Sequence, residues 1–207
     1  MKRSLTIVDG NMSSIIEESV LVEECLKGNQ IAEEILYKKY FRKMMIVSIR
    51  YLKNEEDASE ILNSAFLKVF AKLKQYKFKG SLEGWIKRIV INAAIDFIKD
   101  NKAYRNTFIH TDEFSRYDSG VDDNESLVDV TDDNVHLNAE QIFEMVKELP
   151  EASRVVFNLY VIEDYTHREI AESLKISEGT SKWHLFNARK QLKEKIKHIT
   201  KSKNNKF

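Results

Sequence analysis

The sequence predicts an all-α chain of two small helical domains joined by an acidic, flexible linker. Three observations carry this. Six glycines and one proline are spread over 207 residues, and apolar residues recur at helical rather than alternating spacing. The charges balance to zero overall but not locally. From Lys68 to Arg105 the bases Lys68, Lys72, Lys74, Lys77, Lys79, Lys87, Arg88, Lys99, Lys102 and Arg105 face only Glu83, Asp96 and Asp100. From Thr166 onward bases again outnumber acids, and the interval between the two blocks is acidic. Two basic blocks divided by an acidic spacer point to two nucleic-acid contacts on one chain.

In order, residues 1–19 lack a sustained period and read as a tail, with a first domain over 20–103. Leu21, Val22 and Cys25 mark one helix, closed near Gly28-Asn29, and Ile31, Ile35, Leu36, Tyr40, Met44 and Val47 mark the next. Acids after Asn54 favour a helix start through the peptide dipole. That third helix buries Ile61, Ala65, Val69 and Leu73. The loop KQYKFKGSLEG follows, then WIKRIVINAAIDFIKDNK, with Trp85, Ile89, Ala93 and Phe97 as inward positions. Cys25 is read as a small core residue, because one cysteine forms no intrachain framework and no Cys/His cluster has zinc spacing.

Between 104 and 137 acids crowd a segment too poor in apolar residues to repay its own ordering. It reads as the linker. A second domain, 138–199, opens at Asn138 with Ile142, Met145, Val146 and Leu149 inward and Pro150 ending that helix. A helix over Ser153 to Tyr160 precedes a helix-turn-helix from Thr166 to Leu192. Thr166 and Glu169 have the S/T-x-x-E form of a capping box. Leu174-Lys175-Ile176 makes the turn, and Ser177 caps the next helix. At about 100° per residue, Ser181, Leu185, Ala188 and Leu192 face inward. Trp183, Phe186, Asn187 and Lys190 face outward, with Lys182, His184 and Arg189 on the flanks. Aromatics held off the core and ringed by cations and an amide suit a groove of DNA, where cations meet phosphates and amides meet base edges. Residues 200–207 form a basic tail.

The run LPEASRVVFNLYVIEDYTHREIAESLKISEGTSKWHLFNARKQL resembles region 4 of an extracytoplasmic-function (group 4) sigma factor of the sigma-70 family. DASEILNSAFLKVF (Asp57 to Phe70) and FKGSLEGWIKRIVINAAID (Phe78 to Asp96) resemble the family's region 2. The resemblance implies a sigma factor that brings RNA polymerase core to promoters and helps open them, acting by binding and not as an enzyme, with no cofactor and no metal. It implies −35 contacts from Thr180, Lys182, Trp183, His184, Phe186, Asn187, Arg189 and Lys190. It implies −10 contacts from Tyr76, Phe78, Lys79, Gly80, Ser81, Lys87, Arg88 and Asn92, the aromatic loop holding a flipped base. Asp57, Glu60, Asn63 and Phe66 become the polymerase contacts. The implied partners are the β′ clamp helices and β flap of core polymerase and promoter DNA, and an anti-sigma factor stays open as a third.

Three departures stand out. Asn63 and Ser64 replace the family's usual Gln-Glu, Lys175 replaces its usual turn glycine and is expected at positive φ, and Trp183 replaces a small polar residue. No run of transmembrane length and no secretory leader is visible, which predicts a cytoplasmic protein. The rival reading is a free-standing helix-turn-helix regulator with an N-terminal sensor or oligomerisation domain. It leaves the stretch from Asp57 to Asp96 unexplained.

Overall fold

A computed structural model describes residues 17–52, 54–101 and 138–204. The expected tail up to residue 16, the expected linker over 104–137 and the last three residues lie outside them. Among the described residues the regular structure is helical: α1 (Glu18–Leu26), α2 (Gln30–Tyr51), α3 (Glu55–Lys72), α4 (Leu82–Asp100), α5 (Ala139–Lys147), α6 (Glu151–Phe157), α7 (His167–Leu174) and α8 (Glu178–Asn204). A short 3-10 turn (Leu73–Gln75) extends α3, and a π turn (Asn158–Ile162) extends α6. The all-α expectation holds. None of these helices is long and apolar enough to cross a membrane.

The described residues divide into two compact units, those of 1–48 with 59–93, and those of 49–58 with 94–207. This division differs from the domain boundary expected near residue 103. Residues Ile49–Ala58 group with the second unit, where Asn158 Nδ2–H donates to the Arg50 carbonyl at 2.8 Å and the Arg50 guanidinium lies 3.3 Å from Glu163.

The first unit buries Leu21, Val22 and Cys25 of α1, Leu36, Tyr40 and Met44 of α2, and Leu62, Ala65, Phe66 and Val69 of α3. Asn54 starts α3 by accepting the Asp57 N–H at 2.7 Å, and its own amide returns to the Asp57 carboxylate at 2.9 Å. The inward face of α4 corrects the expected one. Leu82, Ile86, Val90, Ala94 and Ile98 are buried, whereas Trp85, Ile89 and Phe97 are only half-buried. Both stripes are apolar; the one through Leu82 meets the core, while Trp85 lies against the Tyr76 ring of the loop. Ser81 caps α4 by accepting the Gly84 N–H at 3.1 Å.

In the second unit Asn138 and Gln141 form a reciprocal capping box at the start of α5. Met145, Val146 and Leu149 are buried as expected, but Ile142 is 47% exposed. Pro150 occupies the cap that opens α6. The side chain of Arg154, 2% exposed, donates to the Lys147 carbonyl at 3.0 Å and so closes the end of α5 from within. Ile170 and Leu174 of α7 and Leu185, Ala188 and Leu192 of α8 complete this core.

Candidate nucleic-acid interface

The loop between α3 and α4 carries two aromatic rings, Tyr76 and Phe78, and Tyr76 also meets Trp85 of α4. Tyr76 lies 4.9 Å from Phe78 and 5.5 Å from Trp85, centroid to centroid. Its hydroxyl donates to the Gly80 carbonyl at 2.9 Å, which ties the loop's two ends together. The tight path requires positive φ at Gly80 (88°) and at Phe78 (56°), and a phenylalanine there stores strain of about 1–3 kcal/mol. In that conformation the Phe78 ring stands 54% exposed, as a −10 contact requires. Lys74, Lys77 and Lys79 stand exposed around it. The result is an apolar stacking platform with a cationic rim. Ser81, the cap of α4, and Trp85, Arg88 and Asn92 on it share one face at i, i+4, i+7 and i+11, and Arg88 and Asn92 are exposed. Lys87 lies roughly 140° around the helix from that face, so the structure does not bring it to the loop. Trp85, expected in the core, is half-buried and lies tilted at 44° to the Tyr76 ring.

The helix-turn-helix forms as its residues dictate. Both bonds of the Thr166–Glu169 capping box are present. Lys175 adopts φ 57° and ψ 46°, the left-handed position expected from the missing glycine. Ser177 Oγ accepts the Thr180 N–H at 2.9 Å and starts α8. Along α8 the buried line is Ser181, Leu185, Ala188 and Leu192. Opposite it run half-buried Trp183, 36% exposed Phe186 and exposed Lys190. Lys182, Asn187 and Arg189 flank that face, half-buried. The Arg189 guanidinium lies 5.8 Å from the centre of the Tyr160 ring, which itself stacks on His167 at 4.5 Å.

Two expected −35 contacts are corrected. Thr180 is fully buried, its hydroxyl bonded to Ser177 at 2.8 Å. His184 is 2% exposed, with Nδ1 3.2 Å from Ser153 Oγ. Burial pushes its pKa down to about 4, so it is neutral at physiological pH. Neither side chain is open to solvent. Sequence reading also missed the inward polar partners Ser153, Tyr160 and His167. His167 Nδ1 meets Ser181 Oγ at 2.9 Å, and no local spacing pairs residues so far apart.

Of the expected polymerase contacts, Glu60 and Asn63 are exposed on α3, and Asp57 is half-buried in its pairing with Asn54. Asn63 accepts the Tyr37 hydroxyl at 2.9 Å. Phe66 is corrected: it is 2% exposed and packs edge-on against Tyr37 at 4.8 Å. It supports the α3 surface from beneath.

Residues 36–104 match the family described as Sigma-70 region 2, and residues 139–192 the family described as Sigma-70, region 4. The chain is 25% identical over 193 residues to the ECF RNA polymerase sigma-E factor of Haemophilus influenzae, covering 91% of this chain and 100% of that one. It is 24% identical over 193 residues to the ECF RNA polymerase sigma-E factor of Escherichia coli K12, covering 91% and 98%. Among solved structures it is similar to CnrH in complex with the cytosolic domain of CnrY, with TM-score 0.43 and 17% identity over 88% of this chain and 96% of that one. It is also similar to the sigma factor RpoE in complex with the anti-sigma factor NepR from Bartonella quintana, with TM-score 0.42 and 16% identity over 79% and 96%. Both sigma-70 regions occur in order along one chain, and ECF relatives align over nine-tenths of it; the protein belongs to the sigma-70 family and, within it, to the extracytoplasmic-function group.

Proposed function

We propose that this sigma factor, a promoter-recognising subunit of RNA polymerase, engages its promoter through two separate surfaces of its own chain. The observation that carries the reading is α8. One face is sealed by Ser181, Leu185, Ala188 and Leu192, while the other presents Trp183, Phe186 and Lys190 to solvent. A helix of that form enters a major groove at the −35 element, with Lys182 and Lys190 on phosphates and Trp183 and Phe186 against base edges and thymine methyls. An indole N–H donates one hydrogen bond only, so Trp183 reads shape and methyl groups more than a donor–acceptor pattern. The ring platform of Tyr76, Phe78 and Trp85, with its lysine rim, receives an unstacked base of the −10 non-template strand. Glu60 and Asn63, with Asp57 at the start of α3, face the clamp helices of core polymerase, and the second unit meets the β flap. The chain works by binding, in the cytoplasm, and an anti-sigma factor is a further partner class compatible with this reading.

Run-off transcription with core polymerase on a library randomised in the −35 and −10 elements tests it. Trp183→Ser should change which −35 sequences are used. Lys190→Ala should weaken all promoters together and flatten the salt dependence. A Trp183→Ser protein with a lowered melting temperature and an unchanged promoter spectrum would return the tryptophan to the core and defeat the −35 assignment. The regulator reading predicts sequence-specific binding to duplex DNA without core enzyme, which the same library read by gel shift would reveal.

A further inference from the structure

We propose that Ser153 is a positioning residue for promoter reading: it locks the side-chain amide of Asn187 in the orientation that reads an adenine of the −35 element. The proposal rests on α8 occupying the major groove. Ser153 belongs to α6 and is 1% exposed, beneath the surface that α8 presents. Its Oγ accepts the Asn187 Nδ2–H at 3.3 Å and lies 3.2 Å from His184 Nδ1. On the other side, Gln191 Nε2–H donates to Asn187 Oδ1 at 3.3 Å. Asn187 is therefore gripped at both ends of its amide, by α6 and by the next turn of its own helix.

The grip has a definite chemical outcome. An asparagine amide offers two N–H donors and two lone pairs on oxygen. Ser153 and Gln191 use one of each, which leaves one donor and one acceptor for a ligand. Adenine alone among the bases shows an adjacent acceptor (N7) and donor (N6–H) in the major groove that match an amide edge. A free asparagine amide turns readily about its broad terminal torsion and exchanges the places of N and O. Such a flip presents donor to donor and acceptor to acceptor. In the Nε2–H tautomer of neutral His184, the single hydrogen of the Ser153 hydroxyl goes to Nδ1, and Oγ, which keeps two lone pairs, can only accept from Asn187. The order of donors is then Gln191 to Asn187 to Ser153 to His184, and it permits one amide orientation. Asn187 sits roughly 40° around α8 from Trp183, close enough for both to serve one groove.

The test measures −35 preference profiles of the holoenzyme, full-length chain with core polymerase, for wild type, Ser153→Ala, Asn187→Ala and the double variant. Melting temperatures are recorded alongside. Asn187→Ala should abolish the preference for adenine at one −35 position, roughly 5- to 150-fold for a bidentate pair. Ser153→Ala should lower the preference at that same position several-fold, leave the other positions unchanged, and add nothing in the Asn187→Ala background. If Asn187→Ala alters one position while Ser153→Ala shifts only the melting temperature, Ser153 merely packs and the proposal is overturned. An unaltered profile in Asn187→Ala, with Trp183→Ser still changing it, also overturns the proposal but leaves α8 in the groove. Unaltered promoter use in Trp183→Ser, Asn187→Ala and Lys190→Ala alike would instead remove α8 from the groove.

Discussion

Replacing Lys175 by glycine should stabilise this protein. Lys175 ends α7 at φ 57° and ψ 46° and is exposed, so its side chain contributes no buried surface. Its N–H still closes the helix on the Ala171 carbonyl, a bond that glycine retains. A left-handed conformation costs an L-residue about 1–2 kcal/mol. Glycine removes that cost but loses about 0.4–1 kcal/mol through the greater freedom of its unfolded chain. The difference is a net gain of about 0.5–1 kcal/mol. For a unit of this size, 1 kcal/mol corresponds to about 4–8 °C, so the transition of the second unit should rise by roughly 2–8 °C. Differential scanning calorimetry of the full chain reads this directly, with Lys175→Ala as the control. Alanine keeps the strain and should bring no gain. A Lys175→Gly protein that melts at or below the wild-type temperature would refute the reasoning, since the turn would then carry no strain for glycine to relieve.

Acid should destabilise the protein through His184. Its folded pKa of about 4 lies below the ordinary 6.5, so the unfolded chain binds the extra proton first and stability falls as pH drops from 6.5 towards 4. The loss at pH 5 is about 2 kcal/mol, and in urea titrations at pH 7 and pH 5 His184→Asn should flatten this slope; an unchanged slope would mean His184 is not the group responsible. Glu60→Lys should weaken core-polymerase binding in a competition assay while leaving the melting temperature near wild type, because Glu60 is exposed; unchanged affinity removes it from the clamp surface. Phe78→Ala should reduce open-complex formation, followed by permanganate reactivity, without lowering the melting temperature, since a ring 54% exposed at φ 56° contributes little to the core. Normal opening with a reduced melting temperature would make the ring structural.

What was legible in the sequence is what is local. The Thr166–Glu169 box, the left-handed Lys175 and the Ser177 cap each depend on residues three or four apart, and all three form as read. The α8 face was legible for the same reason. Along α4 periodicity failed, because Leu82, Ile86 and Val90 and the adjacent Trp85 and Ile89 form two apolar stripes of equal period. Tertiary contacts select between them, the Tyr76 ring taking Trp85 while the core takes Leu82, Ile86 and Val90. Thr180, His184 and Phe66 were misplaced for a different reason. Polar character suggests exposure, but Ser177 and Ser153 satisfy Thr180 and His184 inside. Phe66 is covered by Tyr37, which a reading of α3 alone does not see.

The chain has two tryptophans, and the two candidate DNA surfaces hold one each: Trp85 against the Tyr76 ring in the first, Trp183 on the outward face of α8 in the second. Neither is fully buried. The molecule thus contains its own pair of optical reporters. Replacing Trp183 with phenylalanine leaves an emission that follows strand capture, and replacing Trp85 leaves one that follows groove docking. Stopped-flow traces of the two single-tryptophan proteins, recorded as core enzyme and promoter are mixed, would time the two engagements separately without any attached dye.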